Sequence, residues 1–254
     1  MLVVLSPAKR LDWSPAPIGQ TQPAFMPDAA ELADLARGLG AAELARLMGL
    51  SDRLARLNHD RFAAFRPDPD PQATRPAAFA FAGDTYAGLE ARTLPEDALR
   101  WADDRLRILS GLYGLLRPRD AIQPHRLEMG TRLATPRGRD LYRWWGTRLA
   151  EALTAEADRL GTRWLLNCAS QEYFAAVDRA ALGPEVITPV FLEDRSGGPR
   201  IVSFFTKKAR GAMARFVMEH RLQAPADILG FDSGGYRHAP DLSEPGRPAF
   251  LRPG

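Results

Sequence analysis

The chain opens with Met1-Leu2-Val3-Val4-Leu5-Ser6-Pro7-Ala8-Lys9, an apolar run that turns polar at its sixth residue. A short continuous apolar run that is followed by a proline predicts a strand over residues 2–5, buried on both faces. Trp164-Leu165-Leu166-Asn167 repeats this pattern and predicts a second buried strand that ends in polar residues. Ligands in α/β sheets lie where such strands end, so residues 167–174 are a candidate ligand site.

Helices and strands alternate irregularly along the rest of the chain. The spacing of apolar residues predicts helices over residues 28–40, 41–48, 51–65, 95–109, 140–160 and 207–222. Short apolar runs predict strands over residues 77–81, 186–192 and 200–205, the last two joined as a hairpin. With no βαβ repeat, internal repeat or linker, we expect one α+β domain over residues 1–254. Its core would be a mixed β-sheet or a partial barrel surrounded by helices.

The composition is that of a soluble globular protein, with 45% hydrophobic and 26% charged residues among 254. No apolar run approaches the roughly 18 residues of a membrane span. The first residues lack the charged start and the long apolar segment of a signal peptide. Cys168 is the only cysteine, which excludes an internal disulfide. We therefore expect a cytoplasmic protein that does not bind membranes. We also expect a monomer, although these observations do not set the oligomeric state.

Lysine is rare in this chain. Of the 34 basic residues, only Lys9, Lys207 and Lys208 are lysines. A lysine that persists among arginines indicates a site where a compact ammonium is needed and a planar guanidinium does not serve, although chance survival is the alternative. The net charge of +3 is too small to indicate a nucleic-acid binder by itself, but basic residues cluster between Arg195 and Arg221.

Two polar stretches in the middle of the chain have the residue types of a binding site. Arg126 and Glu128 alternate with apolar neighbours, as in a short strand with one polar face. Arg126 would suit a phosphate and Glu128 would orient it or act in acid–base chemistry, unless the two form an ordinary solvated ion pair. Ser170 would cap a helix whose free amides hold an anion, or it is a simple N-cap beside a turn at Asn167.

The predicted helix from residue 207 is strongly basic. It places Lys207 and Arg210 on one side and Lys208 and Arg215 on another. Such a helix lines a phosphate-binding cleft or simply presents a solvated face.

Residues 42–62 predict two short helices joined at Gly49, a pattern compatible with a helix-hairpin-helix. That motif offers backbone amides and nearby basic residues to a DNA phosphate without reading bases. Arg46, Arg53, Arg56 and Arg61 supply the charge. Ordinary helical hairpins share this pattern, so it is a weak signal by itself.

Metal and cofactor motifs are missing from the sequence. The four histidines are scattered, and no cluster of histidine, cysteine and carboxylate residues has zinc spacing. Neither a P-loop nor a dinucleotide-binding glycine fingerprint occurs. No histidine lies near Cys168 in the sequence, so we expect an inert thiol there. We expect no metal and no cofactor.

Eight segments, taken in order, resemble the YaaA peroxide-stress protein family over nearly the whole chain. The first four are S-P-A-K at 6–9, L-S-D-R-L at 50–54, F-A-G-D-T-Y-x-G-L at 81–89 and L-S-G-L-Y-G-L-L-R-P at 109–118. The others are Q-P-H-R-L-E-M-G at 123–130, N-C-A-S-Q-E-Y-F at 167–174, F-x-x-K-K-A-R-G-x-M-x-R-F at 204–216 and G-F-D-S-G-G-Y at 230–236.

The resemblance implies a cytosolic bacterial protein that is induced by hydrogen peroxide and helps to limit free iron and iron-driven oxidative damage. It also implies a single domain of unusual fold with a positively charged cleft and a helix-hairpin-helix element. Such a protein would bind double-stranded DNA largely without sequence preference. The family motifs fall on these cleft candidates, none with an assigned catalytic role: Lys9, Arg117, Arg126, Glu128, Asn167, Ser170, Glu172, Lys207, Lys208, Arg210 and Arg215. The hairpin candidates are Arg46, Gly49, Arg53 and Arg56.

Two functions remain open at the level of the sequence. One is a DNA-binding stress protein. The other is an enzyme that acts on a phosphorylated or nucleotide-like small molecule in the same cleft, since the motifs hold more carboxylates and amides than an electrostatic DNA cleft needs. We expect the fold to bring Lys9 close to Lys207 and Lys208 in one basic cleft. A pocket of small-ligand size faced by Lys9, Arg126, Asn167, Ser170, Lys207 and Lys208 would favour the enzyme, and a groove ~20 Å wide would favour DNA. Direct iron sequestration is disfavoured because the ligand set is missing.

Overall fold

The computed structural model describes residues 1–16 and 18–253, and the apolar run at the start of the chain becomes its central strand. The strands are β1 (Leu2–Leu5), β2 (Arg10–Leu11), β3 (Arg75–Pro76), β4 (Phe81–Ala82), β5 (Leu106–Ser110), β6 (Gly114–Leu116), β7 (Ala121–Ile122), β8 (Trp164–Cys168), β9 (Glu185–Ile187), β10 (Val190–Asp194), β11 (Arg237–His238) and β12 (Ala249–Pro253). The helices are α1 (Met26–Arg37), α2 (Ala41–Met48), α3 (Asp52–Ala64), α4 (Ala77–Ala80), α5 (Asp84–Leu89), α6 (Glu96–Arg105), α7 (Leu141–Trp145), α8 (Arg148–Arg159), α9 (Gln171–Phe174) and α10 (Ser203–His220).

Five strands form the main sheet in the order β6-β5-β1-β8-β9. Strand β1 pairs in parallel with β5 on one side and with β8 on the other, and β8 pairs in parallel with β9. Only β6 runs antiparallel, as the return of a tight turn from β5. All four residues of β1 are buried, as expected for a parallel strand covered on both faces. The predicted buried strands at residues 2–5 and 164–167 are therefore confirmed.

Three smaller sheets complete the structure. Strand β12 lies between β10, which is parallel to it, and β11, which is antiparallel to it. Strands β2 and β4 pair with each other, and so do β3 and β7. None of these sheets closes within residues 1–16 and 18–253, so the mixed sheet is observed and the partial barrel is not. One continuous apolar core joins the main sheet to the helices, which makes the described chain a single compact domain of mixed α/β type.

Several predicted elements were wrong because short apolar runs fit a helix and a strand equally well. The helix predicted over residues 95–109 ends at Arg105, and the following apolar run becomes β5 because it pairs with β1. Residues 77–81, predicted as a strand, mostly form the helical turn α4. The predicted strand at 200–205 keeps one bridge to β10, and α10 begins at Ser203.

Two further predictions were corrected by local backbone geometry. The helix predicted over residues 140–160 is broken into α7 and α8 at Gly146, whose φ of 52° no regular helix adopts. The alternating stretch at 126–129 is a loop and not a strand.

In the described part of the chain, no helix has both the length and the apolar character needed to cross a membrane.

Helices α5 and α10 cross so closely that their backbones touch. A Cβ atom at Gly211 would overlap the carbonyl oxygen of Thr85, and a Cβ atom at Gly88 would overlap the carbonyl oxygen of Lys208. Because only glycine fits both positions, this pair of residues sets the distance between the helices. Helix α10 also packs against β1 and β8, so the crossing fixes α5 and α10 relative to the main sheet.

We expect Gly211→Ala to lower the free energy of unfolding by about 3 kcal/mol, because the added methyl group meets backbone that cannot rotate away. Chemical denaturation of the purified variant measures this loss. Gly230→Ala is the matched control, since a Cβ atom there meets nothing within 4 Å. Equal stability of the two variants would show that the crossing is not tightly packed.

Candidate functional site

A cavity of about 230 Å³ lies at the edge of the main sheet where three parallel strands end. Ser6 follows β1, Ser110 is the last residue of β5, and Ser170 lies just beyond β8. Because parallel strands end at the same edge, the sheet brings these three hydroxyl groups to one place. The cavity is lined by Ser6, Pro7, Ala8, Lys9, Phe81, Asp84, Thr85, Ser110, His125, Arg126, Leu127, Glu128, Cys168, Ser170, Glu172, Tyr173, Lys207 and Arg210.

Ser6 and Ser170 connect the ends of β1 and β8. The backbone N–H of Ser170 donates to the Ser6 hydroxyl at 2.8 Å, and the Ser6 hydroxyl donates to the Ser170 hydroxyl at 3.2 Å. The Ser170 hydroxyl also accepts from the backbone N–H of Tyr173, as predicted for an N-cap. These bonds fix the strand ends that form the floor of the cavity.

Asn167, a predicted site residue, lies beneath the cavity and not in its wall. Its side-chain oxygen accepts from the backbone N–H of Ala169 at 3.0 Å, and its amide nitrogen donates to the Thr188 hydroxyl at 3.3 Å. Asn167 therefore shapes the turn that leads to Ser170.

Glu128 holds two of the cations in the cavity wall. Its carboxylate lies 2.7 Å from Arg126 Nε and 3.4 Å from Lys9 Nζ. The side chains of Glu128 and Arg126 are only 12% and 17% exposed, whereas that of Lys9 is 66% exposed. Arg126 and Glu128 thus form a shielded pair, and the Lys9 ammonium extends toward solvent.

Arg210 and Lys207 come from α10 and have no such partner. Among the residues that the structure describes, no carboxylate lies within 4.0 Å of either side chain. The Arg210 guanidinium is half-buried, and burial lowers its pKa. A desolvated cation without a counterion is costly, so this wall of the cavity is ready for an anion.

The cavity also holds carboxylates other than Glu128. Glu172 Oε1 accepts from the backbone N–H of Gly130 at 3.1 Å. Asp84 begins α5 and has no cation within 4.0 Å in the described chain. Four cationic and three carboxylate side chains therefore line one small space.

His125 is a cavity residue that sequence reasoning missed. Its Nδ1–H donates to the carbonyl oxygen of Gln123 at 2.8 Å, because a carbonyl can only accept. The other nitrogen, Nε2, therefore carries a free lone pair. Burial lowers the pKa of His125 to about 4, so the ring is neutral at pH 7. The histidine lies in the quoted 123–130 segment, but the alternation there singled out its neighbours.

Cys168 also lines the cavity, at the end of β8. Burial raises its pKa to about 12. The side chain stays a thiol near neutral pH and is a poor nucleophile, in agreement with the inert thiol expected from the sequence.

Three predicted candidates lie elsewhere. Lys208 and Arg215 line a second cavity on another face of α10, so Lys9 and Lys207 share a pocket that Lys208 does not enter. Arg117 lines a third cavity, where its guanidinium lies 3.7 Å from Glu156. The structure therefore brings together seven of the predicted residues: Lys9, Arg126, Glu128, Ser170, Glu172, Lys207 and Arg210.

The helical hairpin of α2 and α3 lies outside these cavities. Gly49 joins the helices in a left-handed conformation with φ 62°. Arg46, Arg53 and Arg56 are exposed, and no carboxylate of residues 1–16 or 18–253 lies within 4.0 Å of their guanidinium groups.

The described residues include no group of three or more histidine, cysteine, aspartate or glutamate side chains placed to hold a metal ion.

We expect stability to fall as the pH is lowered from about 6.5 to about 4, with His125 contributing about 3 kcal/mol of this loss. In this range the unfolded chain binds a proton at His125 and the folded chain does not. Denaturation of His125→Phe over the same pH range measures the contribution, since the variant should lose this part of the pH dependence. Identical pH profiles for the variant and the parent would contradict a buried neutral imidazole.

Known proteins resemble this chain over nearly its whole length. The chain matches the family described as peroxide stress protein YaaA over residues 1–242. It is 61% identical over 255 residues to a UPF0246 protein of Roseobacter denitrificans, with 100% of this chain and 98% of the relative covered. A UPF0246 protein of Ruegeria pomeroyi is 60% identical over 253 residues, with coverage of 100% and 99%. The chain therefore belongs to the YaaA family of peroxide stress proteins.

Proposed function

We propose that this protein acts in the peroxide stress response by binding a small phosphorylated ligand in the cavity at the strand ends. The observation that carries the proposal is Arg210, a half-buried guanidinium with no acidic partner in the described chain. A phosphate bound there would offset the cost of burying this charge, and Lys207 lies on the same wall. The remaining hydroxyl, imidazole and carboxylate groups would fix the rest of the ligand.

The dimensions of the cavity support a small ligand over a DNA duplex. The cavity has a volume of about 230 Å³, which is enough only for a small molecule. A DNA duplex, which is ~20 Å wide, cannot enter it. The charges in the cavity are also of both signs, while a surface that holds a DNA backbone needs only cations. Of the residues expected to face one small-ligand pocket, Lys9, Arg126, Ser170 and Lys207 line this cavity, whereas Asn167 and Lys208 do not. This partial match still favours a small-molecule site over a DNA groove.

We expect Arg210→Gln to weaken the binding of inorganic phosphate at least about tenfold, because it removes a charged hydrogen-bond donor from a shielded site. Isothermal titration calorimetry at low salt measures the dissociation constant. Arg100→Gln is the matched control, since this exposed arginine on α6 pairs with Glu96 and does not line the cavity. Equal affinities for the two variants would remove the basis of the proposal.

Lys9→Arg separates binding from chemistry in the same cavity. Phosphate neutralisation tolerates a guanidinium, whereas proton transfer or covalent catalysis by an amine does not. If Lys9 acts only through its charge, Lys9→Arg keeps the phosphate affinity and every measurable activity of the parent. Loss of activity with unchanged affinity would assign chemistry to the ammonium.

A second candidate function is binding of double-stranded DNA at the α2–α3 hairpin. The observation that favours it is the trio of exposed, unpaired arginines around the turn at Gly49. Such a hairpin contacts phosphates and reads no bases, which would make binding largely independent of sequence. Asp52 at the start of α3 opposes an anion there, so the arginines would have to supply the attraction.

We expect the parent protein to retard duplex DNA in gels at about 50 mM salt and to lose this affinity steeply toward about 200 mM. Binding releases counterions from the DNA, so added salt opposes it. The combined Arg46→Gln, Arg53→Gln and Arg56→Gln variant should bind far more weakly and show a shallower salt dependence. Arg210→Gln is the control, since it alters the cavity and leaves the hairpin intact. Retardation that the triple variant keeps in full would rule out the hairpin.

We further propose that the protein works in the cytoplasm as a monomer and that any effect on free iron is indirect. The described residues lack a cluster of metal ligands, and both candidate sites are suited to phosphates. Calorimetric titration of the pure protein with Fe(II) checks this point, because tight binding would require a direct role.

A further inference from the structure

The second cavity, on another face of α10, is not used by the proposed function. It has a volume of about 460 Å³, larger than that of the first cavity. Lys207 lines the first cavity and Lys208 the second, because successive residues of a helix point about 100° apart. Residues 204–216, one of the eight family segments, therefore line two separate cavities.

One wall of the second cavity is aromatic and firmly held. The Arg252 guanidinium lies 3.8 Å from the centre of the Phe205 ring. Its position is fixed by Glu193, a fully buried carboxylate that lies 2.6 Å from Arg252 Nε and accepts from the Tyr236 hydroxyl at 2.5 Å. Beside this wall, the ring of Phe204 packs edge-on against Phe205 at 5.2 Å.

Phe204 lies at the cavity and is 54% exposed. An exposed aromatic ring beside a preformed concave space marks a surface on which another flat group can stack. The neighbouring wall also includes Ala209 and Ala212, whose short side chains leave room for such a group.

Most charges around the second cavity are already paired. Arg215 lies 2.7 Å from Glu219 and 3.8 Å from Glu90, and Arg252 pairs with Glu193. Two lining residues are different, since within residues 1–16 and 18–253 neither has an oppositely charged group within 4.0 Å. They are the ammonium of Lys208 and the carboxylate of Asp232.

We propose that the second cavity binds a nucleoside monophosphate. Its base would stack on the ring of Phe204, as bases do on exposed aromatic side chains. The Lys208 ammonium would hold the phosphate group, and the Asp232 carboxylate would accept hydrogen bonds from the base. Guanine fits best, because it presents adjacent N–H donors that match the two oxygens of one carboxylate. This inference does not depend on the function proposed for the first cavity.

Isothermal titration calorimetry of the full chain at low salt tests the proposal with GMP, AMP and guanosine. We expect GMP to bind more tightly than AMP. Phe204→Ala should weaken GMP and guanosine alike by about tenfold, because stacking is lost. Lys208→Gln should weaken GMP by about tenfold and leave guanosine unchanged. Asp232→Asn should abolish the preference for GMP over AMP.

Two matched variants control for general effects. Arg100→Gln removes an exposed cation that lines neither cavity, and it should leave GMP affinity unchanged. Ile201→Ala removes an apolar side chain that is 63% exposed and does not line the second cavity. Thermal melting of each variant verifies that the fold is retained.

Three results would overturn the proposal. The first is no measurable binding of GMP at millimolar concentration. The second is an equal loss of GMP affinity in Lys207→Gln and Lys208→Gln, which would indicate the first cavity or nonspecific attraction. The third is binding of a short guanine oligonucleotide without any binding of GMP, which would make the ligand a nucleic acid.

Discussion

The close crossing of α5 and α10 is the constraint on which both cavities depend. Gly88 and Gly211 let the two backbones touch, and any side chain at either position would force the helices apart. The crossing holds the start of α5, with Asp84, beside the face of α10 that carries Lys207 and Arg210. It also leaves Lys208 on a different face, next to Phe204 and Phe205. A single packing contact thus decides which charges share a pocket.

The first cavity exists because three parallel strands end together beneath that crossing. Strand β1 is fully apolar, and β5 and β8 are apolar apart from Arg107 and the polar residues at their ends. The chain turns polar where each strand ends, at Ser6, Ser110 and Asn167. The resulting floor of hydroxyl groups is held by Ser6 and Ser170. Arg126 and Glu128 neutralise each other at the side, whereas Arg210 has no acidic partner in the part of the chain that the structure describes. This unequal pairing leaves a partly buried charge that a bound anion would compensate, which is the basis of the proposed phosphate site.

Much of this arrangement could be predicted from the sequence, because buried strands and amphipathic helices leave local patterns. Strands β1 and β8, helix α2 and the capping role of Ser170 were confirmed. Strand β5 was mistaken for the end of a helix, because its five residues become a strand only by pairing with β1. His125 was missed for a related reason. Its ring is neutral because it is buried between Phe81 and Tyr113. Phe81 is distant from it in sequence, and a turn separates Tyr113 from it.

From the sequence alone follow the family, one domain that mixes helices and strands, and the residues from which the candidate sites are built. The mainly parallel pairing of the main sheet, in a chain expected to be α+β, came only from the structure. The sequence also makes the three lysines candidate site residues, because they persist in a chain that otherwise uses arginine. Only the tertiary structure decided how those residues are divided: Lys9 and Lys207 line one cavity, Lys208 lines another, and Arg117 lies beside Glu156 in a third. The close contact at Gly88 and Gly211 fixes how α10 lies against α5, and the helical repeat then turns successive side chains to different faces of α10. Neither effect depends on which charged residue occupies a position.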